Sequence, residues 1–230
     1  VVRSVLGERV QVLEYMPNGY TNEEFLHNCP ILPSFNNMNG SDFIHGIYRG
    51  VEFTFSDLTL RTETKGSPDG EFPGDNVVNF KGQLITATSH KSVNGFVQIQ
   101  ERISPRMKNE KKSGILSSVL GSEDSRNSFM TGNELFDNRF DIYASDSQLA
   151  LRVLTPQLMQ GLMRLEGLME IQIAGNMVAV AIKNDRDLFE LGNKGRDNGD
   201  MEEYRQKFRR ELSGILNVID VFGMNTDLFH

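Results

Sequence analysis

Residues 40–64 read GSDFIHGIYRGVEFTFSDLTLRTET, and this stretch constrains the fold more than any other. Phe43, His45 and Ile47 share one face, and Ile44, Gly46 and Tyr48 the other, as the two-residue period of a strand requires. Arg49-Gly50 supplies a turn, after which Val51, Phe53 and Phe55 resume the alternation. Such a hairpin commits this part of the chain to antiparallel sheet. The pattern then slips by one residue, because the next apolar pair is Leu58 and Leu60. A slip of one residue turns side chains to the opposite face. A β-bulge near Ser56-Asp57 is the expected remedy, leaving Asp57 as an unpaired carboxylate directed to water.

Two further hairpins are expected. In the first, Val78, Phe80, Gly82 and Leu84 alternate, SVNG at 92–95 offers Asn-Gly turn chemistry, and FVQIQERI returns. In the second, MEIQIAGNMVAVAI turns at Gly175-Asn176, while Phe136, Phe140, Ile142 and Ala144 alternate as a separate strand. QLALRVL at 148–154 reads equally as strand or helical turn. Helical signals flank these segments. Val2, Val5, Leu6, Arg9 and Leu13 lie at helical spacing, so residues 1–14 read as the tail of a helix that begins upstream. Thr21 or Asn22 caps a short helix through Leu26, ended by Pro30 and Pro33.

Thr155-Pro156 opens a mid-chain helix carrying Leu158, Leu162 and Leu165, with Gly167 as its stop. Asp200 and Glu203 open the last helix, whose Tyr204, Phe208, Leu212, Ile215, Leu216, Ile219 and Phe222 form one stripe ending at Gly223. This order predicts an α+β fold: antiparallel hairpins forming a sheet packed by the mid-chain helix and the long C-terminal helix. One domain is expected over 1–230, with turn-rich connections at 63–75 and 185–199. A long mobile loop is expected at 103–133, holding a short helix at 113–120.

Net charge of −7 and a pI of about 5.2 argue against a nucleic-acid partner. The single cysteine, Cys29, excludes an intrachain disulfide and fits a reducing cytosol. No run of 18 apolar residues is present, so nothing in this sequence reads as a membrane span, and the chain opens on Val1 rather than Met, so it reads as part of a longer protein. Chemistry is sparse. Cys29 with His27 two residues away is a packing cysteine before Pro30 rather than a nucleophile. No GxSxG elbow or phosphate-binding glycine frame occurs, and His27, His45, His90 and His230 lack ligand spacing. No catalytic residue, metal ligand or cofactor is therefore assigned.

Three groups remain as candidates. His45, Tyr48 and Asp57 would line a cleft along the sheet if the protein were a hydrolase-like enzyme. Arg102, Arg106, Lys108, Lys111 and Lys112 would meet an anionic lipid surface, each worth about 1 kcal/mol at contact. Arg205, Lys207, Arg209 and Arg210 form a second basic group on the last helix, read as a solvated face.

Several phrases occur together in order: LEYMPNGYTNEEFLHNCPIL, GSDFIHGIYRGVEFTFSDLTLR, FKGQLITATSHKSVNGFVQI, FDIYASDSQLALRVLTPQLMQGL and AGNMVAVAIKNDRDLFE. Over roughly residues 10–225 the chain resembles a bacterial family known as a domain of unknown function, often encoded beside LemA-family proteins. The resemblance implies a membrane-anchored protein with this part at the cytoplasmic face of the membrane. It brings no catalytic residues, and the chain is read as a binding or scaffolding module with a protein partner at the membrane.

Overall fold

The structure, a computed structural model, describes residues 1–66, 74–103, 128–190 and 201–223. Its elements run α1 (Val2–Leu6), β1 (Gln11–Met16), α2 (Glu23–Asn28), β2 (Asn37–Tyr48), β3 (Val51–Thr64) and β4 (Asp75–Glu101). After these come α3 (Glu134–Arg139), β5 (Phe140–Ala144), α4 (Ser147–Val153), α5 (Pro156–Met163), β6 (Leu168–Lys183) and α6 (Met201–Gly223). The fold is α+β. Its six strands form one antiparallel sheet in the order β1-β2-β3-β4-β5, with β6 also paired to β4. The expected helix at 113–120, most of the 103–133 loop and the Asp200 cap lie outside the described residues, as do parts of both turn-rich connections.

The hairpin of β2 and β3 turns where the sequence places it. Arg49 and Gly50 both take positive φ, 50° and 79°, the geometry that matches a two-residue turn to strand twist. The bulge, however, is in the other arm. Ser41 pairs with Asp57 and Ile44 with Phe55, so Asp42 and Phe43 together oppose Ser56, and Asp42 takes φ 53°. The slip in β3 needs no bulge of its own because the sheet buries both faces. Val51, Phe53 and Phe55 enter the main core under the helices. Leu58 and Leu60 point the other way, into a second core with Leu26, Ile31, Phe80 and Leu84. Asp57 does not face water, since it is 3% exposed on the main-core side.

The two other expected hairpins are long strands instead. β4 runs unbroken for 27 residues and β6 for 16. β6 lies along most of β4, from Gly82 opposite Lys183 to Gln100 opposite Glu170. The two turn signals coincide in space. Val93 pairs with Gly175 between register shifts at Thr88/Val93 and Val93/Phe96, with Gly95 and Gly175 at φ 114° and 57°. Each segment's turn chemistry thus makes a kink in a strand whose neighbour kinks beside it. β3 and β5 take the other edge of β4 end to end, β3 against Asp75–Thr88 and β5 against Val97–Glu101.

At the N-terminus the helix ends at Leu6, and Gln11 already pairs in the sheet with Ile47, so residues 11–14 are strand rather than helix. The strand expected from Phe136 begins only at Phe140. Asn133 caps α3 by accepting from the Phe136 amide at 3.3 Å. QLALRVL is helical, opened by Asp146, which accepts from the Leu149 amide at 2.8 Å. Asn22 caps α2 and Thr155 caps α5, as the hydroxyl-and-proline signal predicts. α5 is shorter than the Leu165 spacing predicts, ending at Met163, with Leu165 still buried beyond it.

α6 is clasped to the first part of the chain. Arg209 donates to both carboxylate oxygens of Glu8 at 2.8 Å, and Arg9 donates to Ser213 at 3.0 Å. Tyr48 and Arg49 donate to Asp220 at 3.1 and 3.0 Å. β4 and β6 also meet closely at Gly82, where a Cβ would lie 2.0 Å from the Ile182 carbonyl oxygen. Backbone cannot yield that space cheaply, so Gly82→Ala is expected to cost about 2–4 kcal/mol, read as a lowered chemical-denaturation midpoint.

Candidate functional site

The three cleft candidates do not converge. His45 sits on the opposite face of β2 from Tyr48 and pairs with Glu52 at 2.7 Å. Tyr48 is buried, accepts from Arg9 at 3.1 Å and donates to Asp220, under the arginines of the clasp. Asp57 lies well along β3, away from the Tyr48 turn. Cys29 is buried in the second core, and burial pushes its thiol up to about 11, which suits packing. His27 instead stacks on Phe35 with ring centroids 4.2 Å apart. Of the basic loop, Arg106, Lys108, Lys111 and Lys112 lie outside the described residues. Arg102 is ion-paired to Asp141 at 2.7 Å and half-buried.

Asp57 belongs to a different assembly. The β2 bulge turns Asp42 toward it, and Asp187 approaches from the loop after β6, so the carboxylates lie within 4.8 Å of one another. Asp42 accepts from the Tyr15 hydroxyl at 2.7 Å. Asp57 accepts from Gln83 at 2.7 Å and from the Leu188 amide at 3.0 Å. Burial above all, with the neighbouring carboxylates adding to it, pushes Asp42 up to about 6 and Asp57 up to about 7. Among the described residues these form the one group of three or more possible ligands close enough to share a cation. Both oxygens of Asp57 are already engaged, however, one by Gln83 of β4 and the other by the loop's Leu188 amide, so a cation there would compete with these donors. The arrangement is an anchor for residues 184–190. Asn184 donates to Gln83 at 2.6 Å, and the Phe189 amide donates to Glu211 at 2.9 Å. Asp185 and Phe189 take positive φ, 58° each, and Phe189 packs edge-on against Phe55 and Phe208.

That anchored loop forms one wall of a groove of about 480 Å³ between the sheet, the end of α5 and α6. Its floor is apolar and buried, made by Ile85, Leu165, Ile182, Ile215 and Val218. Its rim is cationic: Arg164 follows α5, Arg186 comes from the anchored loop and Arg210 from α6. All three are exposed, and none has an ion pair or side-chain hydrogen bond among the described residues. Lys207 also lines the groove but is engaged, with Glu211 at 3.5 Å and the Glu190 carbonyl at 2.5 Å. Gly214 sits mid-helix on the same wall, where a Cβ would meet nothing within 4 Å.

The basic group of the last helix thus divides. Arg205 and Arg209 pair with Glu202, and Arg209 also with Glu8, while Lys207 and Arg210 turn to the groove. Sequence reasoning missed Arg164 and Arg186, which no spacing connects. A glycine interrupting the strong helical pattern around ELSGILN is the local signal that marks the place.

A family model described as "Protein of unknown function (DUF3137)" matches residues 78–224, well over half of the 230 residues. The chain belongs to this family. The match begins inside β4 and takes in every element that lines the groove, whereas β1 to β3 precede it. A search of the curated proteins found no match. Among solved structures, the crystal structure of the mycobacterial trehalose monomycolate transport factor A, TtfA, is similar at 10% identity, with a TM-score of 0.43. That alignment covers 96% of this chain and 91% of the other, a likeness too distant to argue from.

Proposed function

We propose that this member of the family is a binding module, with the groove between α5, α6 and the sheet as its binding site. The observation that carries the reading is the combination of a buried apolar floor with three guanidinium groups that have no partner among the described residues. Pockets that hold small ligands are concave and mostly apolar, with a few polar groups to orient the guest, and this one falls within their usual size. The other candidate groups are occupied. The Asp57 cluster anchors a loop, His45 pairs with Glu52, and Tyr48 belongs to the α6 clasp. Work at the cytoplasmic face of a membrane, beside a protein partner, remains part of this reading on the resemblance in sequence. Among the described residues no helix is long and apolar enough to cross a membrane.

Native mass spectrometry of the protein purified from its host tests the reading. A co-purifying adduct is expected on the natural chain and absent from Gly214→Leu, whose side chain would stand in the groove. An adduct retained by both proteins would place binding elsewhere and overturn the assignment.

A further inference from the structure

We propose that the groove binds a single-chain anionic lipid, an acyl chain ending in a phosphate; this rests on the groove being the binding site. The charge argument comes first. Arg164, Arg186 and Arg210 arise from three separate parts of the chain and line one opening together with Glu166, while Asp187 and Glu190 lie with Arg186 in the adjoining pocket. Glu211 is neutralised by Lys207 and occupied by the Phe189 amide. A helix face that is merely solvated keeps its charges on one element. Here tertiary folding gathers them. Guanidinium groups present planar donor forks suited to phosphate oxygens, and an apolar floor beside them favours a guest with a hydrocarbon portion.

Shape argues for a chain rather than a protein segment. A volume of about 480 Å³ accommodates a small amphiphile, whereas a docked helix needs a long open channel. Gly214 gives a second, independent observation. Glycine in a helix interior costs about 1 kcal/mol relative to alanine, and no neighbour at this position requires its small size. Its effect is to leave the groove wall bare. Gly161, by contrast, is a packing glycine, since its Cβ would lie 2.7 Å from Val221.

Calorimetric titration with dodecyl phosphate below its micellar concentration tests the proposal, with 1-monolauroylglycerol and inorganic phosphate as comparison probes. Dodecyl phosphate is expected to bind saturably at one per chain, the uncharged lipid about tenfold more weakly or worse, and inorganic phosphate without measurable heat. Arg164→Ala with Arg210→Ala is expected to weaken dodecyl phosphate by about tenfold or more. Gly214→Leu is expected to abolish binding while its melting temperature stays at or above that of the natural chain. The paired arginine variant keeps the test intact if Gly214→Leu fails to fold.

Equal affinity for the uncharged lipid would overturn the anionic assignment but leave the groove as the binding site. Equal affinity for inorganic phosphate would reduce the site to an anion contact and overturn the lipid. No binding of any probe would overturn the lipid class, leaving the co-purification result to decide the groove. Unchanged binding to a folded Gly214→Leu would overturn both.

Discussion

A chain shortened to residues 78–224, the span of the family match, is expected not to reach a native fold. The cut removes β1, β2 and β3 with the first three residues of β4, so one edge of β4 loses its β3 neighbour along Val78–Thr88, and only β6 remains beside Gly82–Thr88. Phe53 and Phe55 leave the main core, and Leu58 and Leu60 leave the second. Truncating one buried phenylalanine costs about 3–5 kcal/mol, and a whole domain is typically stable by only about 5–15 kcal/mol. Losing both residues therefore takes up most of that margin before the hydrogen bonds are considered. α6 would also lose Glu8, Arg9, Tyr48 and Arg49, the partners that hold its outer side. Near-ultraviolet circular dichroism and amide chemical-shift dispersion of the fragment are the measurements. A cooperative melt with native-like dispersion would refute the expectation, and would make the family segment a separable unit.

The second large effect is on pH. Asp42 and Asp57 are pushed up to about 6 and about 7, burial being the first cause for each, and burial likewise pushes Glu170 up to about 7. Each of these groups keeps its proton in the folded chain at a pH where the unfolded chain has released it. Their contribution is thus fully present below the ordinary carboxylate range and is lost as pH rises through about 6 to 7. Chemical denaturation is expected to show higher stability at pH 5 than at pH 8, by on the order of 3 kcal/mol. Asp187 is exposed and adds repulsion to both Asp42 and Asp57. Asp187→Asn should therefore stabilise the protein at pH 8, by less than burial costs, and change little at pH 5. A flat profile between these pH values, or an equal effect of Asp187→Asn at both, would contradict the account.

The parts of this fold that could be read from sequence are those set by neighbours along the chain. Arg49-Gly50 turns because two adjacent residues tolerate positive φ, and α6 forms because its apolar stripe recurs at helical period. Thr155 and Asn22 cap helices through contacts three residues away. What could not be read depends on distant partners. SVNG and Gly175-Asn176 are sound turn chemistry taken singly, and only their pairing in space turns both into kinks. The slip after Phe55 requires a bulge only if one face of the sheet is covered; the second core made by Leu26, Ile31 and their neighbours removes that need. Asp57 then stays inside, where a loop from the far end of β6 meets it. The groove was illegible for the same reason: Arg164, Arg186 and Arg210 become neighbours only when α5, β6 and α6 have packed.

The clasp on α6 has a consequence for a chain made from its N-terminus onward. Glu8 and Arg9 wait for partners about two hundred residues later, at Arg209 and Ser213. β1 to β4 can pair progressively as they leave the ribosome, but one wall of the groove arrives only with the last helix. Until then the apolar floor lies open to water and to other chains. Exposure to chaperones and to aggregation should therefore be concentrated in the closing moments of synthesis, and a guest can be received only by a chain that is almost finished.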